Sequence, residues 1–404
     1  MISVDEARNN ILKELKAVST ETVSVADAAG RVLAEDVIAR RTQPPADLSA
    51  MDGYAVIAAD VATVPVTLDV VGEAAAGGSY DAEVTSGQAV RIFTGAPLPS
   101  GADAIVIQED TQRNGDKVLI EEGVSTGRYV RGAGIDFREG DAGLSAGKTL
   151  TARDIGLLAA MNIPWLTVHR KPRVALLSTG DELVRPGEPV GPNQIISTNS
   201  LVVAAMINAA GAEAIDLGIA KDNEASLRQM ATGAASADLL VTLGGASVGD
   251  HDLVQSVLGK EGLEIDFWRI AMRPGKPLMF GDLAGTPMLG MPGNPVSSMI
   301  CSYIFLYPAL DVLMGRKPRM PVYVPAILSH DIKENDQRQD YQRALIIGEE
   351  EGIPFIKLFN NQDSSLLSSL SAADCLIKRA PFAEPLSKGS RVEIIMLENG
   401  YPTC

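Results

Sequence analysis

Nine residues, Gly244-Gly245-Ala246-Ser247-Val248-Gly249-Asp250-His251-Asp252, carry a hydroxyl, two carboxylates and three glycines directly after the apolar run Leu239–Leu243. Glycine permits positive φ and lets a ligand approach the main chain closely. Successive free N–H groups at such a turn form a nest for an anion. In Arg269, Arg273 and Lys276, beside the turn Met272-Arg273-Pro274-Gly275-Lys276-Pro277, an otherwise acidic chain gathers positive charge. Cations with backbone N–H groups are how proteins hold oxyanions such as phosphate. Asp181, Glu182, Asp222, Asp250 and Asp252 supply hard oxygen atoms of the kind Mg²⁺ takes beside phosphate. Each is also, singly, an ordinary turn or N-cap residue, and Asp52 reads equally as the Asx residue of the Asp52-Gly53 turn.

Elements must bring these groups together. Leu239–Leu243 lacks polar alternation, the pattern of a parallel strand buried on both faces. From Lys171-Pro172 onward, strand and helix alternate. Strands are expected at 174–177, 214–219, 239–243, 264–270 and 278–281, and helices at 199–210, 224–236, 252–259 and 296–314. That alternation predicts a parallel, doubly wound sheet, in which ligands bind at the carboxyl ends of strands. The Thr-Gly-Asp-Glu, Gly-Gly-x-Ser, Arg-Pro-Gly-Lys and Pro-Gly-Asn-Pro turns all follow expected strands.

Ahead of this unit, Ser3 and Glu6 form a capping-box pair for a helix over 3–17. Helices are also expected at 25–35 and 151–161. Residues 56–136 read as a small, mainly β domain, and 317–404 as a C-terminal β-barrel or sandwich. The fold class is thus a multidomain α/β chain. Its expected parts are an N-terminal helical region (1–45 with 137–168), a β domain (46–136), an α/β domain (169–317) and a β-barrel domain (318–404).

At 404 residues the chain exceeds one ordinary domain. Hydrophobic residues make up 46%, ample for several cores, and the net charge of −16 repels nucleic acid and anionic membranes. Cys301, Cys375 and Cys404 are too scattered for a disulfide framework or a zinc site. No apolar signal core opens the sequence and no apolar run reaches membrane-spanning length, so a cytoplasmic location is expected. Neither a Walker motif, a dinucleotide-binding fingerprint nor a nucleophile elbow is present. The residues alone therefore point to an α/β protein that binds an anionic, phosphorylated ligand.

Six motifs occur in order: Ser49-Ala50-Met51-Asp52-Gly53-Tyr54-Ala55, Thr94-Gly95-Ala96-Pro97, Ser178-Thr179-Gly180-Asp181-Glu182-Leu183, Gly244-Gly245-x-Ser247-x-Gly249-x-x-Asp252, Pro274-Gly275-Lys276-Pro277 and Pro292-Gly293-Asn294-Pro295-Val296-Ser297. Together they resemble the molybdopterin molybdenumtransferases, the MoeA proteins and the gephyrin E domain, over essentially the whole chain. The resemblance implies an α/β domain like that of molybdopterin adenylyltransferases. It also implies a homodimer whose active cleft combines that domain with the partner's β domain. The implied reaction joins molybdate to adenylylated molybdopterin, with release of AMP and of molybdenum cofactor, and Mg²⁺ is the implied metal. The molybdopterin adenylyltransferase and molybdoenzyme chaperones are implied partners.

Carried over by motif, Gly244, Gly245, Ser247 and Gly249 would hold the pterin's phosphate, with Thr179, Gly180, Pro292, Gly293 and Asn294 around the cofactor. Asp181, Glu182, Asp222 and Asp252 would bind nucleotide or Mg²⁺ or assist hydrolysis. Arg269, Arg273, Lys276, Ser297, Arg343 and Ser364 would gather around molybdate. Asp52, Thr94, Arg131 and Asp136 would come from the β domain across the dimer. Arg269 and Arg273 stand where relatives carry Lys, and Met291 where the motif has Leu. An adenylyltransferase would share the Gly-Gly-x-Ser unit without needing Met51-Asp52-Gly53-Tyr54, and a gephyrin-like scaffold would need no catalysis.

Overall fold

A computed structural model describes residues 1–245 and 253–397 of the chain. At its centre lies a six-stranded sheet in the order Glu213–Ala220, Arg173–Thr179, Leu239–Leu243, Thr286–Met291, Met279–Leu283, Leu263–Trp268. The first four strands are parallel. The last two are antiparallel to their neighbours, so the sheet is mixed rather than wholly parallel. The cause is a tight hairpin. Ala284 and Gly285, both with positive φ, connect Met279–Leu283 to Thr286–Met291. Two positive φ values match the strand twist, but Ala-Gly lacks the Asn or Asp that makes such a turn visible in a sequence.

Every residue of Leu239–Leu243 is buried, as a helix-covered strand requires. Alternate side chains enter two cores. Leu239, Val241 and Leu243 join Val203, Ile207 and Ile300 on one face, together with Val4, Ala7 and Ile11 from the N-terminal helix Val4–Glu14. Leu240 joins Leu227, Val254 and Leu258 on the other. Ser3 caps the N-terminal helix, its Oγ accepting from Glu6 N–H at 3.1 Å. The apolar run Pro295–Leu313 is one continuous helix with a π-helical turn at Ser302–Leu306. It is long and apolar enough to cross a membrane, but 83% of it is buried inside the fold, so it is a core helix.

The helix expected over 25–35 is only a 3₁₀ turn, Val25–Asp27. Gly30 takes a positive φ, and Val32 and Leu33 instead bridge Thr149 and Val168; tertiary pairing overrides the local Ala-rich propensity. Around them Thr20–Ser24 pairs with Trp165–His169. Helix Ala152–Ala160 starts at a reciprocal Thr151–Asp154 cap.

Residues 53–120 form a second six-stranded sheet, ordered Ala104–Ile107, Gly53–Val56, Gln88–Ile92, Val66–Ala74, Lys117–Ile120, Thr111–Asn114. In the C-terminal part, Gln339–Glu350, Ile353–Leu358, Val324–Leu328, Arg391–Met396 and Cys375–Arg379 pair in turn, and the last closes on the first. The result is a barrel rather than a sandwich. Met272–Arg273 runs parallel beside Gln339 and Asp340, so the cation-bearing turn is hydrogen-bonded directly to the barrel.

Candidate functional site

Parallel strands deliver their carboxyl ends to one edge. Thr179-Gly180-Asp181-Glu182, Lys221-Asp222-Asn223, Gly244-Gly245 and Pro292-Gly293-Asn294-Pro295 each follow one of the four parallel strands. Each contributes residues to a cleft of about 730 Å³, all but Asp181 and Asn223 lining it, with Ser178, Pro277, Ser297, Ile195 and Ile196 also in its wall. Gly244 and Gly245 have φ of 94° and 67°. A Cβ on Gly245 would stand 2.2 Å from Val254 Cγ2 and 2.9 Å from Thr179 Oγ1. Only glycine fits there, so the main chain forms the cleft wall. Ser247, Gly249 and Asp252, together with Asp250 and His251, lie outside the described residues.

The acidic side of the cleft is organised by two main-chain contacts. Asp181 N–H donates to Asp222 Oδ2 at 3.4 Å, and Asp222 N–H donates to Asp181 Oδ1 at 3.2 Å. Both carboxylates are exposed, as is Glu182. Among the described residues no group of three or more His, Cys, Asp or Glu is placed to hold a metal by itself. Mg²⁺, however, is commonly held by one or two carboxylates plus substrate phosphate. The paired Asp181 and Asp222 fit that mode. Ser178 Oγ, buried in the cleft wall, has no partner among the described residues, so a polar ligand is free to satisfy it.

The basic residues part company. The turn 269–277 follows Leu263–Trp268 and reaches the cleft through Pro277. Arg269, with φ of 73°, lays its guanidinium 3.9 Å from the Trp268 ring centroid. Arg273 turns to the barrel, donating to Asp340 and, at 3.1 and 3.0 Å, to Asp336 Oδ2 and Asn335 Oδ1. Lys276 is half-buried and has no ion pair among the described residues. Arg343 is 1% exposed, with its guanidinium enclosed by main-chain carbonyls. Ser364 reaches the cleft edge, where its Oγ accepts from Asn294 Nδ2 at 2.6 Å.

Asp336 is held at about 2, first by Arg338 donating to its side chain and then, against the cost of burial, by the Arg338 N–H and the charges of Arg273 and Arg338. Its folded value lies below the ordinary value of about 4, so its stabilising contribution is complete above that value and is lost as pH falls toward about 2. Asp336→Asn should therefore flatten the acid limb of a urea-midpoint titration over that window. Wild type and variant losing stability in parallel would show that the contact contributes nothing.

In the β unit, Thr94 N–H and Oγ1 both donate to Asp52 Oδ1, at 2.7 and 2.9 Å. These bonds, with Arg91 nearby, hold the Asp52 carboxyl below its usual value. Arg131 and Asp136 are exposed. None of these four lines the cleft of its own chain.

Sequence reasoning passed over Ser178, Ile195, Ile196, Ser197, Thr198, Asn199 and Lys221, all of which line the cleft. Lys221 had a usable signal, since it directly follows a parallel strand. Ile195 and Ile196 had none, because a short strand pairing with Leu183–Val184 places them.

Comparison with known proteins covers nearly the whole chain. Residues 2–162 match the MoeA N-terminal region (domain I and II), 175–312 a probable molybdopterin binding domain, and 325–397 the MoeA C-terminal region (domain IV). A molybdopterin molybdenumtransferase of Haemophilus influenzae is 37% identical over 398 residues, covering 98% of each chain. One from Nostoc is 40% identical over 330 residues, covering 80% of this chain and 76% of the relative. The crystal structure of a molybdopterin biosynthesis MoeA protein from Pyrococcus horikoshii superimposes with a TM-score of 0.86 at 31% identity, covering 98% of this chain and 99% of that one.

Proposed function

Starting from the fact that this chain belongs to the MoeA family of molybdopterin molybdenumtransferases, we propose that it joins molybdate to adenylylated molybdopterin, releasing AMP and molybdenum cofactor. The observation that carries this reading is the convergence of four strand-end turns on one cleft, with a main-chain wall that only glycine permits.

In this reading Gly244 and Gly245 take the pterin's phosphate, between walls made by Thr179, Gly180, Pro292, Gly293 and Asn294. Lys276, Arg269 and Ser297 face the molybdate dianion, whose charge must be offset as it leaves water. Asp181 and Asp222, with Glu182 beside them, would hold Mg²⁺, which would supply positive charge next to the substrate's phosphates. Asp52, ionised and oriented by Thr94, enters with Arg131 and Asp136 from the partner of a homodimer. No covalent nucleophile is required, and electrostatic positioning carries the step. The segments 1–45 with 137–168, 46–136, 169–317 and 318–404 are the corresponding domains. The protein works in the cytoplasm, downstream of a molybdopterin adenylyltransferase.

The test is AMP release from adenylylated molybdopterin with Mg²⁺, in the presence and absence of molybdate. Release that depends on molybdate is expected. Consumption of ATP with molybdopterin alone would instead identify an adenylyltransferase. Asp52→Asn and Glu182→Gln should each lower turnover about 100-fold or more. Mixing the two inactive dimers should restore roughly a quarter of wild-type activity, because reassorted dimers keep one intact shared site. No recovery after subunit exchange would rule out the shared site.

A further inference from the structure

We propose that Arg343 is a positioning residue, which shapes the cleft from inside the barrel by folding one loop around its guanidinium. Arg343 lies on barrel strand Gln339–Glu350 and is among the largest fully buried side chains of the protein. Its Nη1 donates to Leu366 O at 3.0 Å, and its Nη2 to Asp363 O at 2.8 Å and Asn361 O at 3.4 Å. Gln362 closes the arrangement. Its Oε1 accepts from Arg343 N–H at 2.9 Å, and its Nε2 donates to Arg343 O at 2.9 Å and Phe359 O at 3.0 Å. Burial lowers the Arg343 pKa, with the Asp363 charge opposing that shift. Arg343 Nε also points to Gln362 Oε1, at 3.4 Å, so the guanidinium is directed along the whole 361–366 loop.

The loop it holds reaches the cleft. Ser364 O accepts from Val296 N–H at 3.1 Å, and Ser364 Oγ accepts from Asn294 Nδ2 at 2.6 Å. Asn294 lines the cleft, and Val296 lies in the first turn of the long core helix beside Ser297. From the other side, Asn199 Nδ2 donates to Gly293 O at 2.7 Å. The Pro-Gly-Asn-Pro turn is thus clamped between Asn199 and a loop whose shape Arg343 and Gln362 dictate. A displacement of about 1 Å in such a wall costs about 100-fold in rate.

This inference rests on the proposed molybdenum insertion for its kinetic arm only. Its structural arm is amide hydrogen exchange. Arg343→Lys and Gln362→Met should each speed exchange at the Val296 amide by about tenfold, while distant strands keep wild-type protection. Turnover in the AMP-release assay should fall about 10- to 100-fold in both variants, with the molybdate KM within about twofold of wild type. If Arg343→Lys fails to fold, Gln362→Met carries both arms. Unchanged Val296 exchange in a folded variant would overturn the proposal. So would a selective rise of about tenfold or more in molybdate KM for Arg343→Lys beside a wild-type Gln362→Met, because that marks an anion ligand. Were the wild type to show no molybdate-dependent AMP release while Val296 exchange responded, the proposed activity would fall and the positioning role would stand.

Discussion

Lys276→Met should lower molybdate-dependent turnover by about 100- to 1,000-fold while leaving the fold intact. The reason is subtraction. Of the cations assigned to molybdate by sequence, Arg273 is bound to Asp336 and Asp340 of the barrel. Arg343 is enclosed by carbonyls, and Arg269 stacks on Trp268. Arg269 and Lys276 are thus the two with no ion pair among the described residues, and of these Lys276, next to Pro277 in the cleft wall, is the one not stacked on a ring. A dianion entering a partly desolvated site needs such a charge. Lys276→Arg should recover only part of the rate, since a planar fork presents its donors differently from an ammonium. The measurement is AMP release against molybdate concentration. Wild-type kinetics in Lys276→Met would make Lys276 a solvated turn residue and move the anion site elsewhere.

The second large effect concerns stability. Asp311→Ala should lower the unfolding free energy by about 3–5 kcal/mol. Asp311 is fully buried and accepts from Arg316 Nε at 2.7 Å and from Arg319 N–H, Nε and Nη2 at 2.8, 3.0 and 2.8 Å. Arg316 in turn donates to Thr149 Oγ1 at 3.2 Å and Ala210 O at 3.3 Å. One carboxylate thereby holds together the end of the long core helix, the end of helix Asn199–Ala209 and the segment before Ala152–Ala160. Removing it takes from the largely buried Arg316 guanidinium the carboxylate it meets at 2.6 Å, which costs far more than losing an exposed pair would. Urea unfolding followed by far-UV circular dichroism reads the change. A loss below about 1 kcal/mol would show that the cluster relaxes to water.

What was legible in advance is what local chemistry decides. The unalternating run Leu239–Leu243 reads as a doubly covered strand, Ser3 with Glu6 as a helix start, and Gly244-Gly245 as a turn with positive φ after the strand. These are properties of residues within a few positions of each other, so spacing reveals them. The Ala284-Gly285 hairpin was hidden because Ala is an unusual occupant of a positive-φ turn. The missing helix at 25–35 was hidden because Val32 and Leu33 find partners more than a hundred residues away.

That the four strand-end turns share one edge likewise followed from sequence, because parallel strands leave their turns no other edge to occupy, whereas the 195–199 wall did not. Which charges remain available there did not follow. Arg273 and Arg343 look as free as Lys276 when the chain is read linearly. The reason is physical: an ion pair or a buried guanidinium is fixed by distance and desolvation. Those are set by residues such as Asp340, sixty-seven positions from Arg273, that only the folded chain brings near. The sequence alone determined that the Gly-rich and acidic turns follow parallel strands and so share one edge. Only the tertiary structure decided that Arg273 is tied to Asp336 and Asp340 of the barrel and that Arg343 is buried against the 361–366 loop, while Lys276 has no ion pair among the described residues.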